Sequence, residues 1–233
     1  MFRVSNRLRF IEPQLPGVVD WPPRGKHWIH EIEHDGDRCQ VLLERGQVRV
    51  FTRNGYDCSD RYPSIVRTAS KLRCISAIID GEAIVPGASD LAAPPSATRR
   101  RPHGIILYAF DLLHLDGKDF RQRELLERRS ALKHLVGAVA QSHIQFSEEF
   151  YGEGDALFEA CAEQALGNIV SKHALAPYRS GHSRTWLKSK CFTESTFVVV
   201  GTGPEDRSTE DSSCPQRRLW PELRGCGIRR PYR

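Results

Sequence analysis

Residues 28–38, WIHEIEHDGDR, decide how this chain is read. Side chains in a strand alternate between its two faces, so Ile29, Glu31 and Glu33 share one side and Trp28, His30 and Ile32 the other. Two acids on one face, immediately before Asp35-Gly36, form a pocket-building pattern. Gly36 supplies the permissive backbone of a turn, after which Arg38 to Leu43 reads as a returning strand.

Working outward, Glu44-Arg45-Gly46 is a second turn, Gln47 to Thr52 alternates as a strand, and Arg53-Asn54-Gly55 turns again. Three strands in succession joined by short turns imply one antiparallel sheet. Residues 10–27 are dense in proline and glycine, and proline is excluded from helix interiors and central strands, so they are expected to be an extended lead-in with turns. Ala77 to Val85 is a strand with Asp80 and Glu82 on one face, and residues 87–104 read as a mobile surface connection.

Ile105 to Asp111 is a strand rich in β-branched and aromatic residues. Arg121 to Val136 has Leu125, Leu132, Leu135 and Val136 at helical spacing with charges between, the pattern of an amphipathic surface helix. Asp155 to Leu166 is a second helix with Leu157, Phe158, Cys161, Ala165 and Leu166 inward, and Asn168 to Lys172 and Trp186 to Cys191 are further strands. Thr196 to Gly201 could open one more. Beyond Gly203 the chain is polar and arginine-rich, with scattered bulky residues, and is expected to be largely disordered. A sheet-rich α+β domain results.

The composition is that of a globular protein, with 39% hydrophobic and 27% charged residues. A formal charge of +5 is compatible with a polyanionic partner without requiring one. The seven cysteines form no CxxC pair, which argues against a disulfide framework or a zinc site and for reduced thiols. No apolar run resembles a signal peptide or a membrane span, so a cytoplasmic protein with no membrane partner is expected.

Six ordered blocks carry a resemblance: HEIEHDGDR (30–38), TRNGYD (52–57), DGE (80–82), YAFDLLHLDG (108–117), IVSK (169–172) and PYRSGHSRTWLKSK (177–190). From Phe10 to about Gly201 the chain resembles the adenylation (nucleotidyltransferase) domain of ATP-dependent DNA ligases, of the bacterial repair-ligase type. The resemblance implies an ATP-grasp-like α+β domain with antiparallel sheets and flanking helices over residues 1–192. Residues 193–233 would then hold a truncated or absent OB-fold and a basic tail. It further implies ATP and Mg²⁺ or Mn²⁺ as cofactors, nicked double-stranded DNA as partner, a monomer, and work in a bacterial cytoplasm. The segment 177–190 favours DNA over the RNA ligases and capping enzymes that use a similar pocket.

In that family the first block reads Lys-x-Asp-Gly-x-Arg, and the lysine amine attacks the α-phosphorus of ATP. Here the matching residue is Glu33, a carboxylate that repels a triphosphate, so stable self-adenylation is expected to be lost. Lys26 lies in the turn-rich lead-in beyond Trp28, too far round to substitute. By the same resemblance Glu31 contacts the adenine amino group, Arg38 lies near the ribose and nick, and Arg53 and Asn54 face phosphates. Glu82 contacts the ribose and the metal, Phe110 stacks on adenine with Tyr108 on its strand face, and Lys188 and Lys190 bind the AMP phosphate from one strand face. Lys172, Arg179 and Arg184 fit either further phosphate contacts or plain surface charge. A second departure stands where the family places a metal-binding Glu and then Gly, since this chain has Gly167-Asn168. The implied protein is therefore either an impaired ligase or a non-catalytic nucleotide- or nicked-DNA-binding remnant of one.

Overall fold

The computed structural model describes residues 7–85, 104–139, 143–164 and 167–191. These all fall within one compact unit, Met1–Glu194. The connection expected at 87–104, the inward places expected for Ala165 and Leu166, and the strand, OB-fold start and tail expected beyond 192 lie wholly or almost wholly outside the described residues. Among those described, no helix is long and apolar enough to cross a membrane.

Two sheets form the framework. The first contains β1 (Gln14–Val19), β2 (Trp28–Ile32), β9 (Phe150–Tyr151), β10 (Ile169–His173) and β11 (Gly181–Ser189), in the order β1-β11-β10-β2-β9. The second contains β3 (Asp37–Glu44), β4 (Gln47–Thr52), β5 (Ser76–Ile84), β6 (Ile106–Leu115) and β7 (Lys118–Asp119), in the order β4-β3-β5-β6-β7, with β8 (Ile144–Phe146) alongside β6. Pairing is antiparallel except for β1 with β11 and β6 with β8. Among the described residues there are three α-helices, α1 (Pro63–Ala69), α2 (Leu125–Gly137) and α3 (Gly154–Glu163), and a 3-10 turn at Ser59–Arg61.

Several expectations change. The proline-rich lead-in is not strand-free: β1 occupies it as an edge strand, with a register break between Pro16 and Gly17. An edge with a bulge is where a sheet tolerates proline, because the missing N–H faces no partner there. The first three strands also do not make one sheet. β3 and β4 form a hairpin, but β2 pairs with β9 and β10, so residues 33–36 cross from one sheet to the other.

Gly36 accordingly serves close approach and not a left-handed turn, since its φ is not among the positive ones. A Cβ there would press into the Ala83 carbonyl and come within 2.8 Å of Ile84 Cγ2. Gly36→Ala is expected to cost about 3 kcal/mol, because the obstacle is backbone and cannot swing aside. The loss would appear as a lower midpoint in urea denaturation with unchanged slope.

Alternation sorts the second sheet into two faces. Cys39, Val41 and Leu43 of β3, Ala77, Ile79 and Ala83 of β5, and Leu107, Ala109 and Leu112 of β6 pack with Ile65 of α1 and with Leu132, Leu135 and Val136 of α2 in the main core. The opposite face sends Leu42, Ile78 and Leu113 against Tyr178 and Trp186 in a smaller core between the sheets. The same opposite face carries Arg38, Asp80, Glu82 and Phe110, so the polar residues of the motifs are aimed into the gap between the sheets. α2 is not a simple surface helix. Arg128 and Arg129, one turn from Leu125 and Leu132, are both buried. The described cysteines, Cys39, Cys58, Cys74, Cys161 and Cys191, are all free thiols.

Candidate functional site

Opposite residues in an antiparallel pair lie on the same face. Glu31, Val170 and Lys188 are mutual partners across β2, β10 and β11, and Ile29, Lys172 and Trp186 make the next row. On the other sheet Arg38, Glu82 and Tyr108 are aligned across β3, β5 and β6. These rows, without Ile29 and Tyr108, line a cavity of about 660 Å³ together with residues between 33 and 37 at the crossover and the Thr52 to Asn54 turn, while Tyr108 stacks on His34 outside it. It brings together Glu31, Glu33, Arg38, Arg53, Asn54, Glu82, Phe110 and Lys188 of the residues expected from sequence. Lys190 is not among the lining residues. It lies one residue beyond the end of β11, where the alternation that would have kept it beside Lys188 no longer holds.

At the crossover, Lys188 Nζ is 2.5 Å from Glu33 Oε2, and Asn168 Nδ2 donates to the same oxygen at 3.0 Å. The Glu33 amide also donates to the Asn168 carbonyl at 2.8 Å. The Glu33 carboxylate is thus held by Lys188 and by the residue after Gly167. Gly167 itself has φ of +97°, and a Cβ there would lie 3.3 Å from the Glu33 carbonyl oxygen.

Deeper in, Lys172 is buried and not a surface charge, which corrects one of its two expected roles. Its ammonium lies 2.7 Å from Glu31 Oε1 and over the rings of Phe110 and Trp186, at 4.3 and 4.5 Å from their centroids. Burial lowers its pKa against the pull of Glu31. Arg179 and Arg184 are exposed and outside the cavity. Glu31 also accepts from Arg129 Nη1 at 2.9 Å and from the Ser147 hydroxyl at 3.1 Å. The acid is therefore fixed from three sides, by β10, α2 and the loop after β8.

Arg38 spans the cavity floor. It grips Asp80 with two donors at 3.2 and 2.8 Å and donates to the Gln14 carbonyl at 2.8 Å. Burial alone would depress the guanidinium, but the adjoining Asp80 raises its pKa above the ordinary value. Glu82 behaves oppositely. Burial pushes its carboxyl up to about 8, against the pull of Arg38 and with the help of Glu33, Asp80 and Asp37.

The sign of the linkage follows. A carboxyl raised in the folded state contributes stability below its ordinary value near 4.5 and loses it as pH rises toward 8. Glu82→Gln is therefore expected to flatten the fall of unfolding free energy between pH 5 and pH 8, by on the order of 2 kcal/mol after allowance for solvent. His30 and His114, both lowered by burial, act in the opposite direction, so the difference between variant and parent is the quantity to measure.

A divalent cation is implied by the family resemblance. Among the described residues no group of three or more His, Cys, Asp or Glu side chains is placed to hold a metal. Glu82 would be the carboxylate nearest such an ion, with Gly167 contributing none, and a Mg²⁺ held by one carboxylate takes its remaining ligands from water and nucleotide phosphates. Trp186, Val170, Ser147, His34 and His182 also line the cavity without having been expected there from sequence, and Lys172, one of the expected phosphate contacts, lines it too. The alternation in Trp186-Leu187-Lys188 was the available signal for Trp186.

Two sheets clasping a cavity with an aromatic wall and charged rows from both sides define the nucleotidyltransferase type of α+β domain. The chain belongs to the ATP dependent DNA ligase domain family, whose model matches residues 22–190. It is 33% identical over 196 residues to the multifunctional non-homologous end joining protein LigD of Pseudomonas aeruginosa, a match covering 82% of this chain and 23% of that protein. It is 26% identical over 203 residues to the SPbeta prophage-derived DNA ligase-like protein LigB of Bacillus subtilis, covering 84% of this chain and 73% of the relative. A solved structure, mycobacterial DNA ligase D complexed with ATP and MES, superposes with a TM-score of 0.65 at 25% identity, covering 81% of this chain and 62% of that one. The chain thus spans about a quarter of the length of the Pseudomonas relative.

Proposed function

We propose that residues 1–192 are a ligase-type adenylation domain that binds an adenine nucleotide and nicked DNA but does not adenylate itself. The observation that carries this reading is Glu33, which stands at the family's lysine position and is bound by Lys188 and Asn168. An amine becomes a nucleophile by losing a proton, whereas a carboxylate held in an ion pair offers a weak nucleophile and repels phosphate oxygens. Any acyl phosphate it formed would hydrolyse.

Glu31 and Phe110 would take the adenine, Arg38 and Glu82 the ribose, and Arg53 and Lys188 the phosphates, with Lys190 outside the cavity lining. ATP supplies the adenylyl group in the family reaction, and Mg²⁺ or Mn²⁺ would come with it and not from a preformed carboxylate cage. Retention of Glu31, Arg38, Glu82, Phe110, Lys188 and Lys190 favours the competing reading, a ligase with activity left in repair or recombination. Incubation with α-labelled ATP and either metal separates the two. No label should remain on the denatured protein, and stable label would overturn the reading. Binding to nicked duplex should weaken steeply with salt, as phosphate contacts release counterions.

A further inference from the structure

We propose that the cavity selects the uncharged nucleoside, adenosine, over ATP. This rests on the adenine-pocket reading above and concerns what Glu33 does to that pocket beyond removing a nucleophile. The lining holds four cations, Arg38, Arg53, Lys172 and Lys188, and four carboxylates, Glu31, Glu33, Asp37 and Glu82. It is formally balanced, where a site that gathers a triphosphate needs an excess of positive charge.

Three of the four cations are also already committed. Lys172 lies 2.7 Å from Glu31, Lys188 lies 2.5 Å from Glu33, and Arg38 is gripped by Asp80 at 2.8 Å and by the Gln14 carbonyl. Only Arg53, on the exposed turn after β4, has no carboxylate partner among the described residues. To meet a phosphate, Lys188 must leave a carboxylate that stays in the cavity, facing the same anion.

The purine portion of the ligand, placed at Glu31 and Phe110, does not have to break the Glu33–Lys188 pair. Phe110 and Trp186 provide an aromatic wall beside Lys172, and Glu31, which also lines the cavity, is held in place by Arg129, Lys172 and Ser147. At the anion end a phosphate must break an internal ion pair that the purine can leave intact, so affinity falls as phosphates are added.

Calorimetric titration of the full chain with adenosine, AMP and ATP, without divalent ion and at one ionic strength, tests this. Affinity should fall in that order, with ATP at least about tenfold weaker than adenosine. In Glu33→Gln, which keeps the size but not the charge, ATP should gain about tenfold while adenosine stays unchanged. ATP binding the parent as tightly as adenosine overturns the selectivity and leaves the adenine pocket standing. Failure of all three ligands to bind folded parent overturns both. The ranking in the parent decides the matter even if the variant does not fold.

Discussion

Glu33→Lys is expected to turn a protein that takes no label from α-labelled ATP into one that keeps label after denaturation. The substitution changes two things at once. It removes a carboxylate that holds Lys188 at 2.5 Å, and it places an amine beside that same ammonium. Like charge at short range lowers an amine's pKa, which favours the neutral, attacking form. Lys188 is freed for phosphate in the same step. One unit charge at 4 Å from another is worth about 4 kcal/mol at an effective dielectric near 20, so on the order of a thousandfold in labelling rate is expected. Glu33→Gln is the control, with better ATP binding and no label. Adding Gly167→Glu should not help and should lower stability by about 1–3 kcal/mol, because φ of +97° suits glycine and a side chain there meets the Glu33 carbonyl. A Glu33→Lys protein that is folded, binds ATP and takes no label would place the defect elsewhere in the chain.

The sequence was most informative where local pattern and chemistry agree. The β2 alternation put Glu31 and Glu33 on one face, and both line the cavity. Strands β3 to β6 and helices α2 and α3 were readable because their periods are undisturbed. What escaped were features set by long-range pairing. β1 was hidden by Pro16 and Gly17, whose cost vanishes at an edge. The passage of residues 33–36 between sheets was hidden because a turn of that length before a strand looks like a hairpin, and only the partners of β2, more than a hundred residues away on β9 and β10, show otherwise. α1 has few apolar residues and received no helical reading. The charged residues of α2 were read as solvent-facing, since periodicity assigns charge outward unless a partner is known. Apart from the nearby Arg123 carbonyl, the partners of Arg128 and Arg129 lie on β6, on β2, at Ala176 after β10 and in the loop after β8, none of which a local pattern can supply.

Arg129→Ala is the stability change with the largest expected effect, and it follows from those partners. The guanidinium donates to Glu31 at 2.9 Å, to the Phe110 carbonyl at 2.9 Å, to the Ser147 carbonyl and to Glu149, and its side chain is 2% exposed. Truncation leaves two carboxylates and two carbonyls facing a void, with Lys172 still beside Glu31 as the one remaining cation of the group. Removing one member of a buried charge network costs about 3–5 kcal/mol, most of it the desolvation of the members left behind. Glu149 bears this most directly, because its carboxyl is now held below the usual range, against burial, chiefly by Arg129. Arg129→Lys should lie between parent and alanine variant, since an ammonium restores charge but not the fork that reaches four acceptors. The check is urea denaturation of the two variants with a double-mutant cycle against Glu149→Ala. Simple additivity would mean that Arg129 acts through packing alone, whereas a coupling above about 1 kcal/mol assigns it the task of holding the acids that shape the base end of the cavity.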